Sequence, residues 1–200
     1  MTWVLIVILI AGEALFRWGV KAELTRKLVH TLAGTVLILA PWLWTREYAL
    51  AVGLAFTYLF FLVEKYRFLP SIVQISRSSH GSLFFPLGVT LAVIIGWSRP
   101  ASFQVAVLAL ALADTLAWAA GFGFTGQNLP KRWPVSTAFA LACLGIWLAV
   151  AWPLGLVTVH YFLAAVFFSS VLGIVEFYST SGTDNLFIPV LASLFGLIVF

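Results

Sequence analysis

Eight apolar runs of 16 to 22 residues follow one another along the chain, joined by connections too short to fold by themselves. A helix that crosses a bilayer needs about 20 apolar residues, within roughly 17 to 25. It must be a helix, because in hydrocarbon every backbone N–H and C=O has to be satisfied within the segment. The runs fall at 2–18, 28–45, 48–64, 82–98, 101–122, 136–156, 159–177 and 185–200. They predict an all-α, polytopic transmembrane helix bundle of about eight spans. The first and last runs are short, so seven spans with one re-entrant terminal segment is the alternative. Residues 1–200 read as a single integral membrane domain, with no soluble domain and no internal repeat. Only 9% of residues are charged and 62% are hydrophobic, against about 25% charged in a soluble domain. Mean hydropathy is +1.08. The first run lacks a basic lead and a small-residue cleavage site, so it is expected to be a retained span. The single cysteine, Cys143, lies in an apolar run. It reads as a small core residue.

The net charge of +4 does not point to nucleic acid. The bases sit in the short connections, where membrane topology accounts for them. Connections after the first, third and fifth runs carry Arg17, Lys21, Arg26, Lys27, Lys65, Arg67, Arg77, Lys131 and Arg132, while the opposite connections carry only Arg46 and Arg99. Lys and Arg are retained in the cytoplasm, so both termini are expected on the non-cytoplasmic side. With that orientation Glu23, Arg26, Lys27, His30, Glu64, Arg67, Lys131, Glu176, Asp184 and Asn185 all lie at cytoplasmic ends of spans. Asp114 lies inside the fifth span, nearer the same end.

Several of these residues carry chemistry as well as topology. In "ELTRKLVH" at 23–30, Glu23, Arg26 or Lys27, and His30 share one helical face. A membrane anchor whose bases snorkel to lipid phosphates is one reading; a cationic cradle for an anionic ligand is the other. Asp114 in "LALALADTLAWAAG" costs about 2.5–3.5 kcal/mol at a span centre, so an ion pair, a metal or a catalytic role must offset it. "GFGFTG" at 121–126 has glycine spacing reminiscent of a dinucleotide site but lacks the strand before and the helix after, and is expected to end the fifth span. "LPKRWPVS" at 129–136 offers Lys131 either as an anchor or to phosphate. In "GIVEFYSTSGTDNLFIP" at 173–189, Asp184 is a candidate N-cap. Asp114, Glu176, Asp184 and Glu64 together are candidate oxygen ligands for Mg2+, which binds through one or two carboxylates plus substrate phosphates. Glu13 and Arg17, spaced i, i+4, read as a structural pair. His80 and His160 read as loop or interface residues.

The motif order "RKLVH", "VEKYR", "HGSLFFPLG", "ALADTLAWAAG", "LPKRWPVS" and "E…TDNLFIP" resembles the CTP-dependent polyprenol kinase family. That family includes dolichol kinases, phytol kinases and a CTP-using diacylglycerol kinase, and is related to phosphatidate cytidylyltransferase. The likeness covers roughly residues 23–189. The family's R-K-x-x-H falls on Arg26, Lys27 and His30, and its acid-and-arginine pair on Glu64 and Arg67. Its G-D-x-x-A-x-x-x-G element falls on Asp114, Ala117 and Gly121, its motif lysine on Lys131, and its D-N-x-x-x-P on Asp184, Asn185 and Pro189. Ala113 replaces the glycine before the aspartate, and Trp118 stands where phytol-kinase-like members carry a second acid. The lysine motif has lost its first serine and its glycine, and His80 stands where an acid is often found.

The resemblance implies transfer of the CTP γ-phosphoryl to a membrane-embedded lipid alcohol: phytol, geranylgeraniol, a polyprenol such as dolichol, or diacylglycerol. Mg2+ would be held by Asp114 and Asp184, with Glu176 and Glu64 as further ligands. Arg26, Lys27, Lys131 and Arg67 would neutralise the triphosphate, and Asn185 would contact the nucleotide. The catalytic group accepting the alcohol's proton is His30 or Asp114, with Lys27 beside them. Rival expectations are CMP transfer to a lipid phosphate, a transporter, and a non-catalytic membrane subunit.

Overall fold

A computed structural model describes residues 1–73, 80–125 and 133–200. Arg77, Lys131 and Arg132 lie outside the described residues. The described chain is helical throughout and contains no strand. In order it forms α1 (Thr2–Arg17), α2 (Ala22–Leu37), the short α3 (Ala40–Leu43), α4 (Arg46–Tyr66), the short α5 (Pro70–Val73) and α6 (Gly81–Gly96). Then come α7 (Pro100–Leu108), a π-helical stretch (Ala109–Ala113), α8 (Asp114–Thr125), α9 (Trp133–Ala151), α10 (Val159–Tyr178) and α11 (Asp184–Val199). A long helix stands at each of the eight expected positions. Four are long and apolar enough to cross a membrane: Arg46–Tyr66, Pro100–Gly121, Trp133–Leu154 and Val159–Tyr178. Gly81–Gly96 and Asp184–Val199 are apolar but shorter; at 1.5 Å per residue each spans about 24 Å, less than the ~30 Å hydrocarbon core.

The protein is an integral membrane protein, and its surface shows it. Trp3, Val159 and Ile198 are each more than 70% exposed, as are many other large apolar side chains in part. Such a belt is at home in lipid and not in water.

Inside, the α7–π–α8 helix is the central strut. Phe103, Val105, Ala106, Val107 and Ala109 have no exposed surface, and α2, α6, α9 and α11 pack around it. Lipid gives apolar helices no hydrophobic reason to associate, so close packing of small residues has to do it. Gly88 of α6 lies against the Asn185 carbonyl and Pro189 of α11, and Gly96 and Gly196 both lie against Ser102. The Ser102 hydroxyl donates to the Ser193 carbonyl at 2.7 Å. On the far side α9 and α10 pair, with the Tyr161 hydroxyl donating to the Trp147 carbonyl at 2.9 Å. Cys143 is fully buried in this core, as the apolar run around it suggested.

Helix ends sort into two sets. At one end of the bundle, His80 before α6 meets Glu64 at the end of α4, and its backbone N–H donates to the Ser181 carbonyl before α11. At the other end, Arg46 donates to the Ile94 carbonyl of α6 and Arg99 to the Leu197 carbonyl of α11. The two bases assigned to the sparse side therefore sit together at the end opposite the motif residues.

One local expectation is corrected and one refined. The last described residue of α8 is Thr125, within the 121–126 stretch expected to end the fifth span; Gly121 itself lies inside the helix, where a Cβ would meet Val135 Cγ2 at 2.8 Å. It is a contact glycine between α8 and α9. Asp184 is not the N-cap. Thr183 holds that position, and the Asp184 carboxylate, in the first turn, accepts from the Asn185 N–H at 3.1 Å.

Candidate active site

The centre of the site is made by an irregularity in the central helix. In the π stretch Ala109–Ala113 the backbone carries an extra residue per turn, which re-aims the side chains that follow it. A π turn also disturbs the i→i−4 ladder, and carbonyls in it need other donors. Ala111 finds one in the Thr115 hydroxyl, which donates to its carbonyl at 2.9 Å; the Thr31 hydroxyl, 2.7 Å from the Thr115 hydroxyl and 3.4 Å from the same carbonyl, completes the cluster. Helix α2 comes this close because Gly34 faces Ala111, whose methyl occupies the space a Cβ on Gly34 would need.

Asp114 follows the π stretch directly. Its carboxylate Oδ2 is ion-paired with Lys27 of α2, whose ammonium also lies 3.5 Å from the Asp114 carbonyl oxygen. Oδ1 has no hydrogen-bond partner among the described residues. Arg26, Lys27 and His30 are all at least nine-tenths buried. Here the structure departs from a simple anchor. Helix α2 begins at Ala22, six residues before the apolar run, so Arg26 and Lys27 stand in the packed bundle and not in a loop snorkelling outward. His30, one turn on from Lys27, feels the charges of Arg26, Lys27 and Asp114. Its other side stacks on Phe85 of α6, ring centroids 4.2 Å apart and planes inclined by 20°.

Beyond His30 an apolar cleft of about 60 Å³ runs between α1 and α2 on one side and α4 and α6 on the other. It exists because the α4 backbone packs closely on α6, while α1 reaches α4 only through side chains, Leu9 on the Phe60, Val63 and Ile72 cluster and Thr2 to the Tyr48 hydroxyl at 3.0 Å. Val29, Ala33, Phe56, Phe60 and Val89 are among its walls, and His30 is the single ionisable side chain lining it among the described residues.

The other expected site residues lie in two further settings. Asn185 Nδ2 donates to the Gly81 carbonyl at 2.8 Å, tying α11 to the start of α6. Glu64 accepts from the Leu83 N–H at 3.3 Å through Oε1, and its Oε2 is 2.9 Å from His80 Nδ1. A histidine in place of an acid at 80 thus meets the Glu64 carboxylate as a partner and not as a like charge. Glu176, buried, is hydrogen-bonded by the Ser136 hydroxyl between α10 and α9. Arg67 is exposed and closes α4 in the left-handed region at φ 54°. Lys131 lies outside the described residues. Among the described residues no three His, Cys, Asp or Glu side chains gather as a metal site. The Glu13–Arg17 pair is present at 3.0 Å, and Glu13 also accepts from the Ser71 N–H at 3.3 Å, so it is structural as expected.

Sequence reasoning passed over Thr31, Phe85, Ser136 and the π stretch. Thr31 stands four residues after Lys27, on the same face, and that spacing was the available signal. Nothing in the sequence pattern announced the π turn.

No protein-family model matches the chain. No solved structure matches it. Among curated proteins, a phytol kinase from Synechocystis sp. is 29% identical over 204 aligned positions, which cover 91% of this chain and 82% of the relative. Motif order and this relative agree: along most of its length the chain resembles the polyprenol and phytol kinase family.

Proposed function

We propose that the protein transfers the γ-phosphoryl group of CTP to the hydroxyl of a membrane isoprenoid alcohol such as phytol, with Mg2+ as cofactor. One observation carries the reading: His30 belongs to two environments. It adjoins the buried Lys27–Asp114 pair, and it is the ionisable group at the head of an apolar cleft. A lipid alcohol has the same two-part character, a hydroxyl on a hydrocarbon tail.

The roles follow from charge and position. Phosphoryl transfer relies on placement and charge neutralisation more than on covalent help. Lys27 and Arg26 present buried positive charge toward the triphosphate, and Arg67 and, from its motif in the sequence, Lys131 are further candidates. Asn185 is the candidate for nucleotide contact. His30 holds the hydroxyl and accepts its proton as the oxygen bonds to the γ-phosphorus, while the bond to the β-phosphate oxygen breaks and CDP leaves. A base must come within about 3 Å of the proton it takes, and a hydroxyl seated against Phe85 meets that condition at His30.

The acids present are hard oxygen donors of the kind Mg2+ takes. Asp114 Oδ1, still without a protein partner among the described residues, is the first candidate, with Asp184, Glu176 and Glu64 behind it. Bound there, the ion would neutralise phosphate charge. The surplus of bases at the motif end supports a cytoplasmic site, with both termini on the other side.

The test is direct. Purified protein in detergent is given γ-labelled CTP, ATP, GTP or UTP with Mg2+ and a panel of isoprenoid alcohols and diacylglycerol. Labelled lipid phosphate with release of CDP is the expected result. Pyrophosphate release would indicate CMP transfer instead. A cooperatively folded protein that labels no lipid with any nucleotide overturns the proposal.

A further inference from the structure

The far end of the cleft is aromatic. From Phe85 to Trp97 the cleft follows α6 for 12 residues, about 18 Å at 1.5 Å per residue. There Trp97 stacks edge-on against the fully buried Phe103 at 5.4 Å, and Trp44 completes the floor. Its α1–α4 side is closed by side chains alone, with Leu9 on the Phe60, Val63 and Ile72 cluster and the Thr2 and Tyr48 hydroxyls 3.0 Å apart, because the α4 backbone lies along α6. The cleft thus has an ionisable head at His30, apolar walls, an aromatic floor and a lateral seam toward lipid.

We propose that this cleft receives the alcohol's hydrocarbon tail through the α1–α4 seam, and that Trp44, Trp97 and Phe103 set the length of tail it accepts. The proposal rests on the kinase reading for the identity of the head group. With the hydroxyl at His30, the distance to Trp97 matches the length of an extended tail of about four isoprene units; the open volume of about 60 Å³ is smaller than such a tail, so the side chains along the seam part as it enters. Longer polyprenols meet the aromatic floor, and diacylglycerol brings a second chain for which the cleft of about 60 Å³ has no room. Selection by pocket length is effective because adding or removing one methylene in an apolar pocket already changes kcat/KM by roughly 10–200-fold.

Two measurements test this. In the first, kcat/KM is compared across alcohols of two to eight isoprene units. The native protein is expected to peak near four. Ala33→Phe, which fills the middle of the cleft, lowers the four-unit to two-unit ratio at least tenfold. Trp97→Ala moves the optimum to longer chains. A flat length profile in the native protein, or variants that leave the profile in place, overturns the proposal. The second needs no catalysis and no variant. An isoprenoid alcohol with a photoreactive group at the tail end is crosslinked to the intact protein and the labelled peptides are identified. Label on Trp44, Trp97 or Phe103, competed by unlabelled alcohol, is expected. Label spread over outward side chains such as Leu163 and Phe167, without competition, overturns it. Competed labelling at the floor with no phosphorylation by any nucleotide would retain the cleft and reject the kinase. Phosphorylation with scattered labelling would do the reverse.

Discussion

The Lys27–Asp114 pair allows a structural role and a functional role to be separated by experiment. Their side chains are 9% and 19% exposed, so each is largely cut off from solvent. Removing one member of a buried pair costs about 3–5 kcal/mol, whereas replacing both by apolar groups of similar volume is often neutral or better. The small residual exposure places this pair near the lower end, about 3 kcal/mol for Lys27→Met or Asp114→Leu alone. The double variant Lys27→Met/Asp114→Leu should return close to native stability, giving a coupling of several kcal/mol. That would stand well above the ~0.6 kcal/mol average for interhelical hydrogen bonds in a membrane protein. Unfolding in mixed micelles, followed by circular dichroism, measures all four corners of the cycle. Phosphotransfer is measured on the same samples. If the pair serves the reaction, the double variant is stable and inactive. A double variant that is stable and active shows a pair that only holds helices together, and removes Asp114 and Lys27 from the mechanism. A coupling of ~0.6 kcal/mol or less refutes the claim that the pair is buried and tight.

Two further substitutions probe the surroundings. Gly34→Ala places a methyl where Ala111 already stands; overpacking of this kind costs about 1–3 kcal/mol and should push α2 away from Asp114. Activity should fall, and Ala111→Gly in the same chain should recover most of it; no recovery would mean that the contact does not set the spacing. Arg67 sits at φ 54° and ψ 36°, a conformation that costs a side-chain-bearing residue about 1–2 kcal/mol. Arg67→Gly should therefore raise unfolding stability by about 1 kcal/mol while raising KM for the nucleotide; an unchanged KM removes Arg67 from phosphate binding.

The helices were legible because apolar runs of span length have few other outcomes in a chain so short of charge. Their ends were less so. The apolar run of the second span starts at 28, and the helical face shared by residues 23–30 does not say whether Arg26 and Lys27 are buried or reach outward. They are helical and buried because Asp114 of another helix receives Lys27, across a sequence separation of 87 residues. With nine bases on the motif side, nothing in spacing alone selects that partner. Glu13 and Arg17 were readable because their pairing is local, one turn of one helix. The end of the fifth span within 121–126 was readable from its glycines, while the contact of Gly121 with Val135 was not, since it depends on where α9 lies. The cleft was invisible for a related reason: it is the space left where the α4 backbone lies along α6 and α1 reaches α4 only through side chains.

The π stretch is what most favours a site over a plain ion pair. An aspartate and a lysine on neighbouring regular helices can meet without disturbing either backbone, and a bundle needing only to neutralise them would have no use for a broken ladder. Here the ladder is disturbed in the residues directly before Asp114, and the Ala111 carbonyl relies on the Thr115 hydroxyl, with that of Thr31 beside it. Such turns concentrate at functional sites because they re-aim a side chain that a regular helix would present elsewhere. The disturbance also has a local cost, compensated by hydroxyls on both helices and by the close approach at Gly34. In this bundle the re-aimed residue is the carboxylate at Asp114. It lies one helix away from a cleft with an imidazole at its head, which is where a phosphate donor and a lipid hydroxyl would have to meet.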